Sequence, residues 1–483
     1  MQIKLQVTPG YETGLHEIVR VFFPGASVSA ESGDVLVSVA VEGDQNRLEL
    51  RGRVEGSMVA PTACETQIEP RDMVDARRLI AIYIYQVLGQ ATGNNPNSYG
   101  ILTGVRPVKL VHKCLDRGLT LEQAEIELQE KYLIAPEKAR LLTSVAGNNR
   151  PYLHSPEEVK RKIGIYIGIP YCPTRCHYCS FPGQPLTHKP GLDAFFAGLM
   201  QEMEAVGRFL SESDHKVESI YIGGGTPTVL NLAQWGDLFN KLHRLYITPA
   251  TKEITVEAGR PDTLNEPVMR VLREAGVARI CINPQTMNQS TLSLIGREHG
   301  VGEIRDVFGI ARKQGFPSIN MDLIVGLPSE GEAEFLSSLQ QVMELAPEGV
   351  TVHALARKRG SRWAMEGGFA ASDAAEVQRS IDEAYALLCE EGYIPYFLYR
   401  QKYMAGNVEN LGYSKPNSLC IYNIQVIEER QTIIGLGGGA SSKFVNPGDW
   451  SLSSMYHPKD PASYLKSLEN LVSRQVDMLR TLT

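Results

Sequence analysis

From Ile163 to Glu390 the chain alternates short apolar runs with amphipathic segments, and this alternation restricts the fold more than any other feature. Strand-like runs occur at Ile163 to Ile169, Ser219 to Ile222, Glu253 to Val256, Ala278 to Ile282, Ser318 to Val325 and Gly349 to Ala354. Helical spacing separates and follows them at Leu192 to Leu210, Leu232 to Leu245, Glu266 to Glu274, Glu303 to Gln314, Glu332 to Leu345 and Ala374 to Glu390. Six strand–helix repeats predict an α/β fold, a parallel sheet covered by helices, because parallel neighbours need long crossovers and bury both sheet faces. The sheet is either an open doubly wound one or a partial barrel. In both, ligands gather at the carboxyl ends of the strands.

A chain of 483 residues exceeds one ordinary domain. The stretch to about Gly147 reads as a separate α+β unit. Strands are expected at Ile3 to Val7, Val35 to Val41 and Leu48 to Val54, and helices at Tyr11 to Phe22 and Arg71 to Leu88, giving the order βαββα. Three further helices start near Val108, Leu121 and Pro136. The polar, proline-bearing segment from Asn148 to Pro156 is the expected linker, which sets an N-terminal domain of residues 1–150.

Composition narrows the function. With 43% hydrophobic and 21% charged residues the chain is globular, and a net charge of -7 argues against nucleic acid as its main partner. The N-terminus lacks a secretory pattern, and no apolar window reaches the roughly 18 residues of a membrane span. The expected location is cytoplasmic. In a reducing compartment, close-spaced cysteines point to metal or redox chemistry rather than disulfides.

Of the eight cysteines, Cys172, Cys176 and Cys179 fall within one short loop after the first apolar strand. Three soft thiolates there suit zinc or an iron–sulfur cluster. Zinc would want a fourth ligand, for which His177 and His188 are at hand. Cys114, Cys281 and Cys389 sit in helical or strand patterns and read as small core residues; Cys64 and Cys420 receive no role. At the next strand, Gly223, Gly224 and Gly225 precede Thr226, and such a turn lets backbone approach a ligand closely. Asp322 within an apolar strand needs a partner under any reading. His353 reads as a hydrogen-bonded core histidine. Arg357, Lys358 and Arg359 form a basic run that reads either as a solvated face or as an anchor for an anionic ligand.

The stretch from Tyr166 to Phe181, with its Cx3Cx2C spacing, resembles the signature of radical S-adenosylmethionine enzymes. With Tyr166 six residues upstream and Tyr178 before the last cysteine, it resembles in particular the oxygen-independent coproporphyrinogen III oxidase (dehydrogenase) family and its relative, the heme chaperone. The match extends to about Phe444, and the N-terminal extension, with Gly104 to Pro107, suggests the longer HemZ-type branch. The resemblance implies a partial (β/α)6 barrel over residues 160–395 and a segment over 396–483 that closes it. It implies that Cys172, Cys176 and Cys179 hold a [4Fe-4S] cluster, with Tyr166 and Tyr178 flanking the cofactors. Gly224, Gly225, Thr226 and Glu257 would hold S-adenosylmethionine, and Gln285, Arg297 and Asp322 would line a second S-adenosylmethionine site. Asn283-Pro284 replaces the family's usual Gly-Val before that glutamine.

The implied reaction begins with one electron from the cluster, supplied by a donor such as flavodoxin or ferredoxin. The resulting 5'-deoxyadenosyl radical takes hydrogen from a propionate β-carbon of coproporphyrinogen III. Loss of carbon dioxide and an electron leaves a vinyl group, and two rounds give protoporphyrinogen IX in heme biosynthesis. Two positions depart from the oxidase: Phe181 stands where it has a fourth cysteine, and Gly168 where it has histidine. A heme chaperone, or a radical enzyme acting on another tetrapyrrole, are the alternatives.

Overall fold

The computed structural model describes residues 1–481 apart from 45, 57, 182, 188–190, 357–359, 366–371, 402–403 and 405–407. Two compact units emerge, one covering Met1–Gly147 and joined by the chain at Arg400, the other containing the remainder.

In the first unit the expected strands and helices are present, at Gln2–Val7, Leu15–Phe22, Val35–Gly43, Leu48–Gly56 and Met73–Thr92. Two more strands, Ser27–Ser29 and Thr62–Ile68, complete a five-stranded sheet. Both lie at its edges, where few apolar residues are needed and period-2 patterning is weak. Val35, Val37, Val39, Leu48, Leu50 and Val54 pack under the long helix. Asp72 starts that helix by accepting the Asp75 N–H at 2.8 Å, and Gly93 ends it at φ 64°. Helices Val108–Asp116, Leu121–Tyr132 and Pro136–Asn149 begin where the sequence places them. Arg400 belongs to this unit through bonds to Leu102 O and Val105 O, both at 2.7 Å, with its guanidinium 4.1 Å from the Tyr99 ring centre.

The second unit is built on an eleven-stranded sheet. Its six central strands run parallel, and are called first to sixth here: Lys162–Ile169, Lys216–Gly224, Glu253–Gly259, Arg279–Ile282, Ser318–Val325 and Gly349–Ala354. Nearly every residue in them is buried, as a sheet covered on both faces requires. The intended linker is ordered structure rather than a tether. Asn148 and Asn149 donate to Pro395 O and Tyr396 O, and Ser155 caps the short helix Pro156–Val159.

The C-terminal segment does not close a barrel by hydrogen bonding, contrary to the expectation. Ile394–Tyr399 and Asn410–Ser414 add antiparallel strands beyond the sixth, and the first of them straddles the anticipated boundary at 395/396. Thr432–Gly437 runs parallel to the first strand over six residue pairs and carries Ser441–Val445 and Leu452–Tyr456 outside it. The free edge of the first strand is therefore taken, so it cannot pair with the sixth. Among the described residues, no helix is long and apolar enough to cross a membrane.

Candidate cluster and cofactor site

The cysteine loop leaves the first strand at Ile169. Its start, Tyr171–Cys172, pairs with Gln184–Pro185, which folds the loop back on itself. The Cys179 N–H donates to Cys176 O at 3.1 Å, a tight turn that brings the last two cysteines together. Cys176 is buried and the other two are half-buried, and none of the three is in a disulfide. Burial pushes the Cys172 thiol above its ordinary value; the Thr226 hydroxyl, 3.5 Å from Sγ, pulls it down, and Cys179 and Cys176 push it up again. Three soft sulfur donors on one short loop are the donor set that an iron–sulfur cluster takes. Among the described residues no three His, Cys, Asp or Glu are already gathered round one point as metal ligands. The thiols are close neighbours rather than a finished chelate.

Two glycines keep the space beside Cys172 open. A Cβ on Gly183 or Gly225 would lie 2.7 or 2.9 Å from its Sγ, and on Gly225 also 2.4 Å from Tyr171 O. The residues thus fit a group seated on this loop. The zinc alternative loses a candidate, because both His177 ring nitrogens are engaged, Nδ1 with Leu294 O at 3.1 Å and Nε2 with Arg362 Nη1 at 3.2 Å. His188 lies outside the described residues.

The glycine turn after the second strand is tied to the same loop. Gly225 N–H donates to Ile169 O and Thr226 N–H to Tyr171 O, both at 2.8 Å. Gly224 adopts φ 117°, a conformation open to glycine, and its N–H reaches Glu257 Oε2 at 3.2 Å. Tyr221 donates its hydroxyl to Glu257 Oε1 at 2.6 Å. Burial raises the Glu257 carboxyl above its ordinary value; these two hydrogen bonds oppose the shift and nearby Asp322 adds to it. Tyr166 stacks in a trio with Tyr221 and Tyr422, with ring centres 6.3, 6.2 and 4.4 Å apart. Tyr422 comes from helix Ile421–Glu428 and carries no signal in the sequence.

After the fourth strand the chain bends at Gln285, φ 70°, whose N–H donates to Asp322 O and whose carbonyl accepts from Ile324, each at 2.9 Å. This kink occurs where Pro284 removes a donor from the ladder. Among the described residues, Gln285 Oε1, Asn283 Oδ1 and Arg297 Nε are buried without a hydrogen-bond partner. Arg297 donates through Nη1 to Asn283 O at 2.7 Å and lies 3.4 Å from the Tyr178 hydroxyl. Asp322 accepts from Asn320 at 2.7 Å and has His353 Nε2 at 3.6 Å, so both it and the histidine find partners. His353 also meets the Tyr399 hydroxyl at 3.2 Å.

Arg260, like Tyr422, was not singled out by local spacing. Buried Arg260, just past the third strand, donates to Thr174 O at 3.1 Å, has Nη1 3.9 Å from Cys176 Sγ, and pairs with Asp262 at 2.9 Å. An arginine followed by proline and aspartate at a strand end was the available signal. Arg357, Lys358 and Arg359 lie outside the described residues.

The radical SAM superfamily profile matches residues 166–342. The oxygen-independent coproporphyrinogen-III oxidase-like protein HemZ of Bacillus subtilis is 38% identical over 99% of this chain and 98% of its own length. The heme chaperone HemW of Haemophilus influenzae is 27% identical over 63% of this chain and 76% of its own. Among solved structures, coproporphyrinogen III oxidase HemN of Escherichia coli, described as a radical SAM enzyme, shares the fold. Its TM-score is 0.54 at 23% identity, covering 67% of this chain and 72% of that one.

Proposed function

Because the chain belongs to the HemZ-like family of radical SAM proteins, related to oxygen-independent coproporphyrinogen-III oxidase, we propose that it decarboxylates coproporphyrinogen III oxidatively to protoporphyrinogen IX. The observation that carries this reading is convergence: the cysteine loop, the glycine turn, Glu257, Gln285 and Arg297 stand at or beyond the carboxyl ends of the parallel strands, with Asp322 in the strand beside Gln285, and among the described residues Gln285 Oε1, Asn283 Oδ1 and Arg297 Nε are buried and unpaired.

Cys172, Cys176 and Cys179 would hold the [4Fe-4S] cluster, and the Gly224 to Thr226 turn with Glu257 the S-adenosylmethionine. When bound, this pair supplies a carbon radical able to take hydrogen from an unactivated C–H bond. Glu257, whose charge burial disfavours, would ionise against a cationic amine or sulfonium and hold it in place. Gln285, Arg297 and Asp322 offer an amide oxygen, a guanidinium and a carboxyl on the fourth strand's loop and the adjoining fifth strand, which suits a second S-adenosylmethionine with its amine and carboxylate. The buried rings of Tyr221 and Tyr422, stacked beside Glu257, exclude water on the same face of the sheet. A small electron-transfer protein, flavodoxin or ferredoxin, would serve as donor.

A second reading, a heme chaperone, is favoured by Phe181. It is 41% exposed beside the cysteine loop, an apolar side chain where the oxidase has a thiol. At Gly168 a Cβ would meet Gly438 O at 3.0 Å, so the oxidase's histidine does not fit there without movement.

The test is anaerobic: reconstituted protein, a reductant, S-adenosylmethionine and coproporphyrinogen III, followed for vinyl products and 5'-deoxyadenosine. Both are expected. Deoxyadenosine without decarboxylation would redirect the reading to another substrate, and stoichiometric heme binding with neither product would favour the chaperone.

A further inference from the structure

The loop after the sixth strand grips the cysteine loop. Arg175 Nη2 donates to Gly360 O at 2.8 Å, Trp363 N–H donates to His177 O at 3.2 Å, and Arg362 reaches the His177 ring. The Trp363 indole lies 6.2 Å from the His177 ring, edge-on, and 6.2 Å from the Tyr178 ring, tilted. On its other side His177 donates its backbone N–H to Ile295 O at 3.0 Å. Gly296, at φ 76°, passes so close that a Cβ there would meet His177 Nε2 at 2.9 Å. His177 is thus held between the loops that follow the fourth and sixth strands, and its sequence neighbours are Cys176 and Tyr178. The first and sixth strands are the outermost of the six strand–helix repeats and have four strands between them in the sheet. Their loops meet where the strands themselves do not pair.

We propose that Trp363 is a positioning residue for the cluster and S-adenosylmethionine. Its ring fixes His177 and Tyr178, and with them the turn that carries Cys176 and Cys179 and the Tyr178 contact to Arg297. The inference rests on the cofactor assignment above and is independent of which tetrapyrrole, if any, is the substrate. A rigid contact built from planar rings locks a loop with little entropy to lose, which suits a ligand shell that must be held closely.

The experiment uses full-length protein reconstituted with its cluster under anaerobic conditions, as wild type, Trp363→Ala, Trp363→Leu and Trp363→Phe. S-adenosylmethionine affinity is measured by equilibrium dialysis, and the reduced cluster is examined by electron paramagnetic resonance with and without S-adenosylmethionine. Trp363→Ala and Trp363→Leu are expected to weaken binding roughly threefold to tenfold and to broaden the S-adenosylmethionine-bound spectrum, whereas Trp363→Phe keeps both because a ring still meets His177 and Tyr178. Wild-type affinity and spectrum in Trp363→Ala would overturn the proposal, as would equal impairment in all three variants. If Trp363→Ala does not fold, the contrast of leucine with phenylalanine decides in the same way. A Cys176→Ala protein that keeps its full iron content would instead overturn the cofactor assignment, so the two failures are distinguishable.

Discussion

Glu218 and Glu257 stand near opposite ends of neighbouring parallel strands, and their surroundings treat the same side chain in opposite ways. At the amino end, burial opposes ionisation of Glu218, but hydrogen bonds from His154 and Lys252 outweigh it and bring the carboxyl down to about 2. His154 lies 2.6 Å away, Gln431 2.8 Å and Lys252 2.9 Å. At the carboxyl end, Glu257 meets a phenol and one backbone N–H, and burial keeps its carboxyl raised. The first arrangement is complete and holds the fold together. Among the described residues no cation hydrogen-bonds to Glu257 and only the more distant His353 pulls its carboxyl down, and a buried carboxyl so placed marks a site that expects a cation.

The cysteines give the largest expected effect on the site end. Replacing Cys172, Cys176 or Cys179 singly by alanine should remove most of the iron after reconstitution, read by iron analysis and the loss of visible absorbance. At the amino end, Glu218→Gln should destabilise the protein by about 1 to 3 kcal/mol, because buried His154 and Gln431 lose the carboxylate they share while Lys252 is exposed; denaturant unfolding of cluster-free protein measures this. Glu257→Gln should behave oppositely. It should leave unfolding unchanged or shift it upward at neutral pH, while weakening S-adenosylmethionine binding roughly tenfold, the loss expected for one charge-assisted hydrogen bond.

Titration sharpens the contrast. Since the Glu218 carboxyl is depressed in the fold, its contribution to stability is fully present above about 4.5 and is lost as pH falls toward about 2. Glu257, being raised, has the opposite sign: stability declines as pH climbs from the ordinary glutamate range through its folded value. Acid unfolding of Glu218→Gln should therefore be less steep than that of wild type, and Glu257→Gln should remove a loss seen on the way to neutral pH. The smallest effect is expected at exposed Phe181, where Phe181→Ala should change stability by less than about 0.5 kcal/mol and leave iron content intact.

Strong periodicity made the six parallel strands and their helices legible, several of them to the residue, as at Ser318–Val325, Gly349–Ala354 and Leu232–Leu245. The edge strands Ser27–Ser29 and Thr62–Ile68 were not, since a strand with one solvated edge needs little apolar pattern. Within the site, local spacing pointed to the cysteine loop and to the glycine turn. Arg260, Tyr422 and Trp363 were not singled out because each acts through a partner 86 to 256 positions away, a separation no window of sequence can register. Their relevance exists only once Thr174, Tyr166 and His177 have been folded against them.

The sequence by itself determined that the chain forms a parallel α/β core and that three thiols stand at the carboxyl end of its first strand, because side-chain period and short-range spacing are local properties. Tertiary structure alone decided how the sheet ends: Thr432–Gly437 takes the edge of the first strand, and the loop bearing Trp363 joins the two ends that the strands leave apart. Pairing between distant segments depends on competition for the same hydrogen-bonding edge, and that competition is settled only when the whole chain is folded.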